Sequence, residues 1–339
     1  MQSAIAKLVR RENLSPDEMA GAFEQVMTGQ ATEAQIGEFL TALAAKGETV
    51  EEIAAAARVM RSKMTPIAAP AGRVVLDTCG TGGDRLNTFN ISTAAAIIAA
   101  AAGVTIAKHG NRAATGSSGS AEVLAELGVN VSAPVEIVQR CMEQANIGFC
   151  FAPLLHGAMK FAAPVRKKLG VRTIFNILGP LTNPASARRQ VLGVFADELT
   201  GKLARVLGEL GSERAAVVHG RDGLDEVSLT GPTHVAELAA GVVREYELTP
   251  GDFGLAPIRL ADIQVHSPAE SAAMIRDVLA GKPGPAADIA CANAALACVI
   301  ADRAADVLGG MKLCREAIAT GRAAGTLEQL VRVSNGKII

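Results

Sequence analysis

Along the first 65 residues apolar side chains recur at helical spacing, broken only by short polar turns. Three of these turns carry a hydroxyl followed three residues later by Glu or Gln: Ser15 with Glu18, Thr32 with Gln35 and Thr49 with Glu52. In such a pair the hydroxyl caps the new helix while the longer side chain reaches back to the capping residue's own amide. Pro16 suits a first helical position, and Gly29 and Gly47 suit the stops. No strand-like run interrupts this stretch. The pattern predicts a small all-helical domain over residues 1–70, closing near Pro66–Pro70.

The pattern then changes. RVVLDT, VTIAKHG, IGFCFA, QVLGVF and RAAVVHG read as short buried strands. Between them NISTAAAIIAAAAG, SAEVLAELG, VEIVQRCMEQANI and a stretch from about Glu198 to Leu210 read as helices. Strands alternating with helices predict an α/β domain over residues 71–339, with a largely parallel central sheet flanked by helices. The final seventy residues are helix-rich and are expected to pack on that sheet. The stretch from Val165 to Asn183 fits neither unit cleanly, and a helical segment near 165–185 is expected to rejoin the N-terminal helices.

Composition narrows the class. The chain has 339 residues, 49% of them hydrophobic and 20% charged, a normal globular mix. Lys plus Arg number 33 and Asp plus Glu 34, a formal charge of −1, and aromatics are 3%. That balance argues against a basic nucleic-acid face and against a base-stacking surface. The six cysteines form no CxxC pair and sit in apolar segments, as reduced buried thiols do. The N-terminus lacks a signal-peptide apolar region, and the most apolar run, ISTAAAIIAAAAGVTIAKHG, is interrupted by Gly103 and Lys108. A cytoplasmic protein without a membrane span is expected.

Four clusters carry candidate chemistry. DTCGTGGD, Asp77 to Asp84, follows a strand; Gly80, Gly82 and Gly83 let backbone N–H groups approach an anion, and NIST, Asn90 to Thr93, opens a helix whose free amides favour phosphate. Its spacing is neither the dinucleotide fingerprint nor the Walker loop. A second cluster, AKHGNRAATGSSGS, also joins a strand to a helix. It offers Lys108 and Arg112 as cations or as solvated surface charges, and His109 and Asn111 as directional polar groups. Loops after neighbouring parallel strands meet at the carboxyl edge, so the two together predict one pocket for a sugar with more than one phosphate. Third, Asp225 and Glu226 are adjacent acids in a Gly-bearing loop, able to bridge Mg²⁺ or simply to face water; Asp222 is a weaker candidate and Ser92 a neutral ligand. Fourth, Arg166 lies in a basic helical run where one cation can grip a substrate carboxylate, although position alone does not choose it over Lys167 and Lys168. His219, His234 and His266 show no zinc-ligand spacing.

DTCGTGGD, NIST, KHGNRAATGSSGSAEVLAELG, NILGPLTNPA and the Asp225–Glu226 pair together resemble the anthranilate phosphoribosyltransferase family over nearly the whole chain. The resemblance implies the fold class shared with pyrimidine nucleoside phosphorylases, with the active site in a cleft between a helical and an α/β domain. It implies a homodimer joined through the helical domain. The implied reaction joins anthranilate to 5-phospho-α-D-ribose 1-diphosphate (PRPP), with two magnesium ions, in tryptophan biosynthesis. By that resemblance Gly80, Gly83, Asp84, Thr88, Asn90, Ile91, Ser92 and Thr93 hold the phosphorylated ribose. So do Lys108, His109, Gly110, Asn111, Arg112, Ala113, Ala114, Thr115, Gly116 and Ser120. Ser92 and Glu226 would ligate one magnesium, and Asp225 with Glu226 the second. Gly80, Asn111 and Arg166 would contact anthranilate, with His109 nearby, and Lys108, His109, Asn111 and Arg166 would form the catalytic set. The rival readings are a pyrimidine nucleoside phosphorylase and a non-enzymatic nucleic-acid-binding relative of the fold.

Overall fold

All three capping pairs close as reciprocal boxes. Glu18 N–H donates to Ser15 Oγ at 3.3 Å and Ser15 N–H to Glu18 Oε2 at 2.9 Å; Thr32–Gln35 and Thr49–Glu52 repeat the arrangement. Each cap is worth about 1 kcal/mol. They start α2 (Pro16–Met27), α3 (Glu33–Lys46) and α4 (Val50–Lys63), which follow α1 (Gln2–Val9). The computed structural model describes residues 1–112 and 118–337.

Glu52 does more than close its box. It is fully buried, and its carboxylate accepts Leu14 N–H at 2.8 Å, Thr49 N–H at 2.9 Å and the Lys46 ammonium at 2.8 Å. One charge therefore joins the turn before α2 to the end of α3 and the start of α4.

The α/β part follows the expected alternation: β1 (Val75–Gly80), α5 (Ile91–Ala101), β2 (Thr105–Gly110), α6 (Ser120–Glu126), α7 (Val135–Ala145), β3 (Ile147–Phe151), α8 (Ala152–Leu155), α9 (Ala163–Leu169), α10 (Phe175–Leu178), β4 (Arg189–Gly193), α11 (Leu199–Glu209) and β5 (Arg214–Gly220). The chain then adds β6 (Thr233–Ala239) and β7 (Val242–Leu248), followed by α12 (Pro268–Leu279), α13 (Pro285–Ile300), α14 (Val307–Ala319) and α15 (Arg322–Ser334). The described residues form one sheet in the order β3-β2-β1-β4-β5-β6-β7. β1 to β5 run parallel, whereas β6 and β7 are antiparallel. The hairpin and α15 were not read from the sequence. The hairpin's signal is the two-residue Ala240–Gly241 turn, both with positive φ (49° and 77°), the geometry that matches strand twist.

Alternation along the strands feeds a core on each face. Ala216 and Val218 of β5 join α5 and α13 on one side, while Ala215 and Val217 face α11 and the N-terminal helices on the other. Val165, Ile174, Phe175 and Leu178 bury in this second core, and the Phe175 ring lies 5.4 Å from that of Phe23. The 165–185 stretch thus packs against the N-terminal helices, which themselves share a core with the sheet.

Candidate active site

Strand order locates the site. From β1 the chain builds outward through β2 and β3, then returns to place β4 on the other side of β1. Ligand crevices open at such a switch point, beyond the carboxyl ends of the strands. There the last residues of the two strands, Gly80 and Gly193, are register partners, and Thr81 N–H donates to Gly193 O at 2.8 Å. The loop after β5 crosses this pair. A Cβ on Gly80 would stand 2.8 Å from Asp225 Oδ2, and a Cβ on Gly193 would overlap the Asp225 carbonyl oxygen. The missing side chains let Asp225 settle on the strand ends, where its Oδ2 accepts Gly82 N–H at 2.8 Å. Beyond Gly80 the loop turns through left-handed residues at Gly82, Gly83, Arg85 and Asn87.

Glu226 reaches the start of α5, and its Oε1 accepts Ser92 N–H at 3.0 Å. A carboxylate here complements the helix dipole and takes up one of the free first-turn amides. Lys108 is 2% exposed, its ammonium donating to Thr78 O at 2.6 Å and Ser92 Oγ at 3.4 Å. Burial lowers the Lys108 pKa; Asp77, Cys79 and Glu226 act against that fall. Burial also pushes Glu226 up to about 7, opposed by Lys108. Asp225 rises well above the usual carboxylate range, through burial first and then the neighbouring Asp84 and Glu226. Crowded acids that cannot all ionise cheaply mark a place for a further cation.

Magnesium fits this donor set. Among the described residues no three His, Cys, Asp or Glu side chains converge as a ready-made cage. Mg²⁺ does not require one, since it takes one or two carboxylates and completes its shell with water and phosphate oxygens. Ser92, Asp225 and Glu226 supply hard oxygens of that kind. Asp222 is spent within its own turn, accepting Leu224 N–H at 3.2 Å, Ser228 Oγ–H at 2.8 Å and the Thr230 hydroxyl.

The remaining candidates fall into distinct positions. His109 is 5% exposed; its backbone N–H donates to the buried Asp77 carboxylate at 3.0 Å and its ring Nε2 lies 3.1 Å from His156 Nε2. Burial and the facing ring push His109 down to about 3, and burial takes His156 to about 4, so both stay neutral near pH 7. Ile91 and Thr93 are buried, and their side chains belong to the core at the start of α5. Asn90 is a tie: its Oδ1 accepts the hydroxyls of Ser118 at 2.7 Å and Ser271 at 2.8 Å, and its Nδ2 donates to Ser118 O at 3.1 Å. Thr88 bridges to Gln264. Gly110 packs so closely that a Cβ would stand 2.6 Å from the Phe149 ring. Asn111 and Arg112 are exposed; Asn111 Oδ1 accepts Arg112 N–H at 2.7 Å, and Asn111 O accepts Ser120 Oγ–H at 3.3 Å. Ala113, Ala114, Thr115 and Gly116 lie outside the described residues.

Arg166 is half-buried, with its guanidinium 5.1 Å from the Phe175 ring centre and no acceptor among the described residues. Its segment is tied to the glycine-rich loop by Arg172, absent from the sequence reading. Arg172 donates to Gly83 O at 2.9 Å and lies 3.9 Å over the Phe195 ring, while Phe195 N–H donates to Thr81 Oγ1 at 3.0 Å. For Gly193 the sequence shows only a glycine near the end of a strand-like run; its place beside Gly80 comes from the strand order. Nothing in the sequence singles out Arg172.

Comparison with known proteins converges on one group. Residues 2–64 match the helical bundle domain of the glycosyl transferase family, and residues 72–324 match its a/b domain. An anthranilate phosphoribosyltransferase from Thioalkalivibrio sulfidiphilus is 53% identical, covering 98% of both chains. The crystal structure of the anthranilate phosphoribosyltransferase from Thermus thermophilus superposes with a TM-score of 0.92 at 42% identity, covering 98% of this chain and 99% of that one. The Saccharomyces cerevisiae enzyme in complex with PRPP and Mg superposes with a TM-score of 0.90 at 30% identity, covering 99% and 98%. With these matches over both its helical and its α/β part, the chain belongs to the anthranilate phosphoribosyltransferase family.

Proposed function

We infer that the cleft transfers the 5-phosphoribosyl group of PRPP to the amine of anthranilate, a step of tryptophan biosynthesis, as its relatives' names imply. The observation that carries this reading is the glycine pair at the sheet's switch point, which seats Asp225 and Glu226 over the glycine-rich loop and the start of α5. The C–O bond from the anomeric carbon to the diphosphate breaks, a C–N bond to the amine forms, and the amine proton leaves to solvent. When bound, magnesium neutralises charge on the departing diphosphate.

The chain's own groups supply the rest. Two ions are assigned, one to Ser92 and Glu226 and one to Asp225 and Glu226. Gly80, Gly83, Asp84, Thr88, Asn90–Thr93, Lys108–Arg112 and Ser120 are assigned to the phosphorylated sugar, with Ala113–Gly116 continuing that loop. Lys108 is a fixed cation beside Ser92 that offsets growing anionic charge without reorganising. Arg166, its donors unclaimed among the described residues, grips the anthranilate carboxylate, and Asn111 helps to orient the amine. His109, neutral and buried against His156, is assigned near the anthranilate contacts; no general base is assigned, because an aryl amine attacks with its own lone pair.

The wider assignments are of the same kind. Residues 1–70 with the 165–185 stretch form the helical domain, and the rest of 71–339 the catalytic domain, a division supported by the burial of Val165, Ile174 and Phe175 among the N-terminal helices. A groove of about 550 Å³ along α1 and α3, bordered by Ile5, Leu8, 70%-exposed Val9 and Ala42, supports a homodimer through those helices. Cytoplasmic location is supported by six unpaired buried cysteines, and a role without nucleic acid by the net charge of −1. No helix among the described residues is long and apolar enough to cross a membrane.

Purified protein with PRPP and magnesium is expected to consume anthranilate fluorescence and release equimolar pyrophosphate, and EDTA is expected to stop it. Unchanged fluorescence from folded, PRPP-bound protein would make anthranilate the wrong acceptor. The acids set the pH response. Glu226 is raised from 4.5 to about 7, so between those values the folded chain holds a proton that the unfolded chain has released. Without metal, stability from this group is fully present below pH 4.5 and is lost as pH rises through about 7. Metal binding must expel the protons that burial keeps on Glu226 and Asp225, so the magnesium concentration giving half-maximal rate is expected to rise by at least about tenfold per pH unit below about 7. Magnesium titrations between pH 5.5 and 8.5 check this, and a flat profile would contradict it.

A further inference from the structure

We propose that Asn293, in the middle of α13, is a positioning residue that sets the metal affinity of the site by clamping the peptide next to Glu226. This rests on the assignment of Asp225 and Glu226 as magnesium ligands. Asn293 is 3% exposed, and both N–H bonds and the oxygen of its amide are engaged. Oδ1 accepts Val227 N–H at 2.9 Å, while Nδ2 donates to Val227 O at 3.0 Å and to Ile289 O at 2.9 Å. A primary amide that meets both the N–H and the C=O of one residue holds that residue as a neighbouring strand would, and the bond to Ile289 O fixes the amide's own rotamer.

The clamp sits where it has leverage. Val227 follows Glu226 directly, and Glu226 spans to Ser92 at the head of α5. α5 and α13 pack against each other, and both are rich in buried alanine, with Ala94–Ala96, Ala99 and Ala100 on one and Ala290, Ala292, Ala294, Ala295 and Ala297 on the other. On the outer side α14 approaches so closely that a Cβ on Gly310 would stand 2.6 Å from Ala295 O. This close packing brings a side chain as short as Asn within reach of the acidic loop. Residues 225–227 are therefore held to other parts of the chain at three successive positions: Asp225 on Gly82 N–H, Glu226 on Ser92 N–H and Val227 on Asn293. Two of these engage the carboxylates assigned to magnesium. The third engages only backbone, and remains in place when the carboxylates turn to a metal. Groups that orient ligands in this way typically change metal affinity by about 10–100-fold when removed.

The test replaces Asn293 in the 339-residue chain. In Asn293→Asp the side chain still accepts Val227 N–H but loses both donor bonds; in Asn293→Ala all three go. The expected result for both variants is a rise of about tenfold or more in the magnesium concentration for half-maximal rate, with KM for anthranilate changed less than about twofold. Binding of Mn²⁺ together with PRPP, followed by electron paramagnetic resonance without anthranilate, is expected to weaken by the same factor. Unchanged Mn²⁺ binding and magnesium demand in folded variants would overturn the proposal. Should both variants fail to fold, hydrogen exchange of the wild-type Val227 amide decides: Mg²⁺ with PRPP is expected to slow it, and unchanged exchange overturns the clamp. Glu226→Gln separates the two levels. If it shifts magnesium demand and the Asn293 variants do not, the clamp fails alone; if Glu226→Gln shifts nothing, the metal assignment itself fails.

Discussion

Gly193→Ala is expected to lower kcat/KM by at least about 100-fold while the chain remains folded. The new methyl group would occupy the place of the Asp225 carbonyl oxygen, and it projects from a strand end held on both sides by β1 and β5. The strand cannot yield without breaking ladder bonds, so the β5–β6 loop must lift. Asp225 would then lose Gly82 N–H, and Glu226 would lose its reach to Ser92 N–H. Displacing reacting or orienting groups by about 1 Å commonly costs a factor of 100. Gly21→Ala is the control: Gly21 lies within α2 with nothing within 4 Å of an added Cβ, and alanine favours helix there by up to about 1 kcal/mol. Steady-state kinetics with far-UV circular dichroism on both variants decides the matter. Near-normal turnover by Gly193→Ala would mean that the acidic loop does not need its present seat.

Glu52→Ala is expected to destabilise the N-terminal helices by about 3–5 kcal/mol, a large share of the margin by which a domain stays folded. The loss comes less from the ion pair itself than from what its removal strands. Leu14 N–H and Thr49 N–H lose their acceptor, and Lys46, with a side chain only 4% exposed, loses its counter-charge. The Lys46 ammonium keeps Asn13 Oδ1 at 2.9 Å and Gly47 O at 2.7 Å, which limits the damage. Glu52→Gln retains an acceptor for one amide and should cost less. Urea unfolding of the variants against wild type measures both effects. A loss for Glu52→Ala below about 1 kcal/mol, the scale of an exposed pair, would show that the buried network is not what holds these helices together.

These two cases divide the molecule by the range of the forces involved. The caps around Glu52 were legible because a capping box is written within four residues: Thr49 and Glu52 announce it whatever the rest of the chain does. The strand–helix alternation from Val75 to Gly220 was legible for the same reason, being carried by local periodicity. So were DTCGTGGD and NIST, whose glycines and helix-start residues state their chemistry in one short segment. The β6–β7 hairpin was missed because its turn uses Ala240 rather than Asn or Asp at a positive φ, and because β7 is largely exposed and lacks an apolar stripe.

The sequence by itself thus brought out most of the helices and strands, two glycine-bearing loops after strands and the pair of acids, since each depends on neighbours a few residues away. It carried the family as well, because several such segments occur together. Only the tertiary structure decided what these parts do to one another. Strand order made Gly80 the partner of Gly193, although 113 positions separate their numbers, and so made a seat for Asp225. Packing put Lys108 under cover beside Ser92, turned His109 toward His156 and laid Arg172 on Phe195. The contact of two alanine-rich helices, α5 and α13, brought Asn293 to Val227. Burial, pKa and hydrogen-bond partnership are properties of non-local neighbours, and local sequence does not encode the order in which the strands assemble.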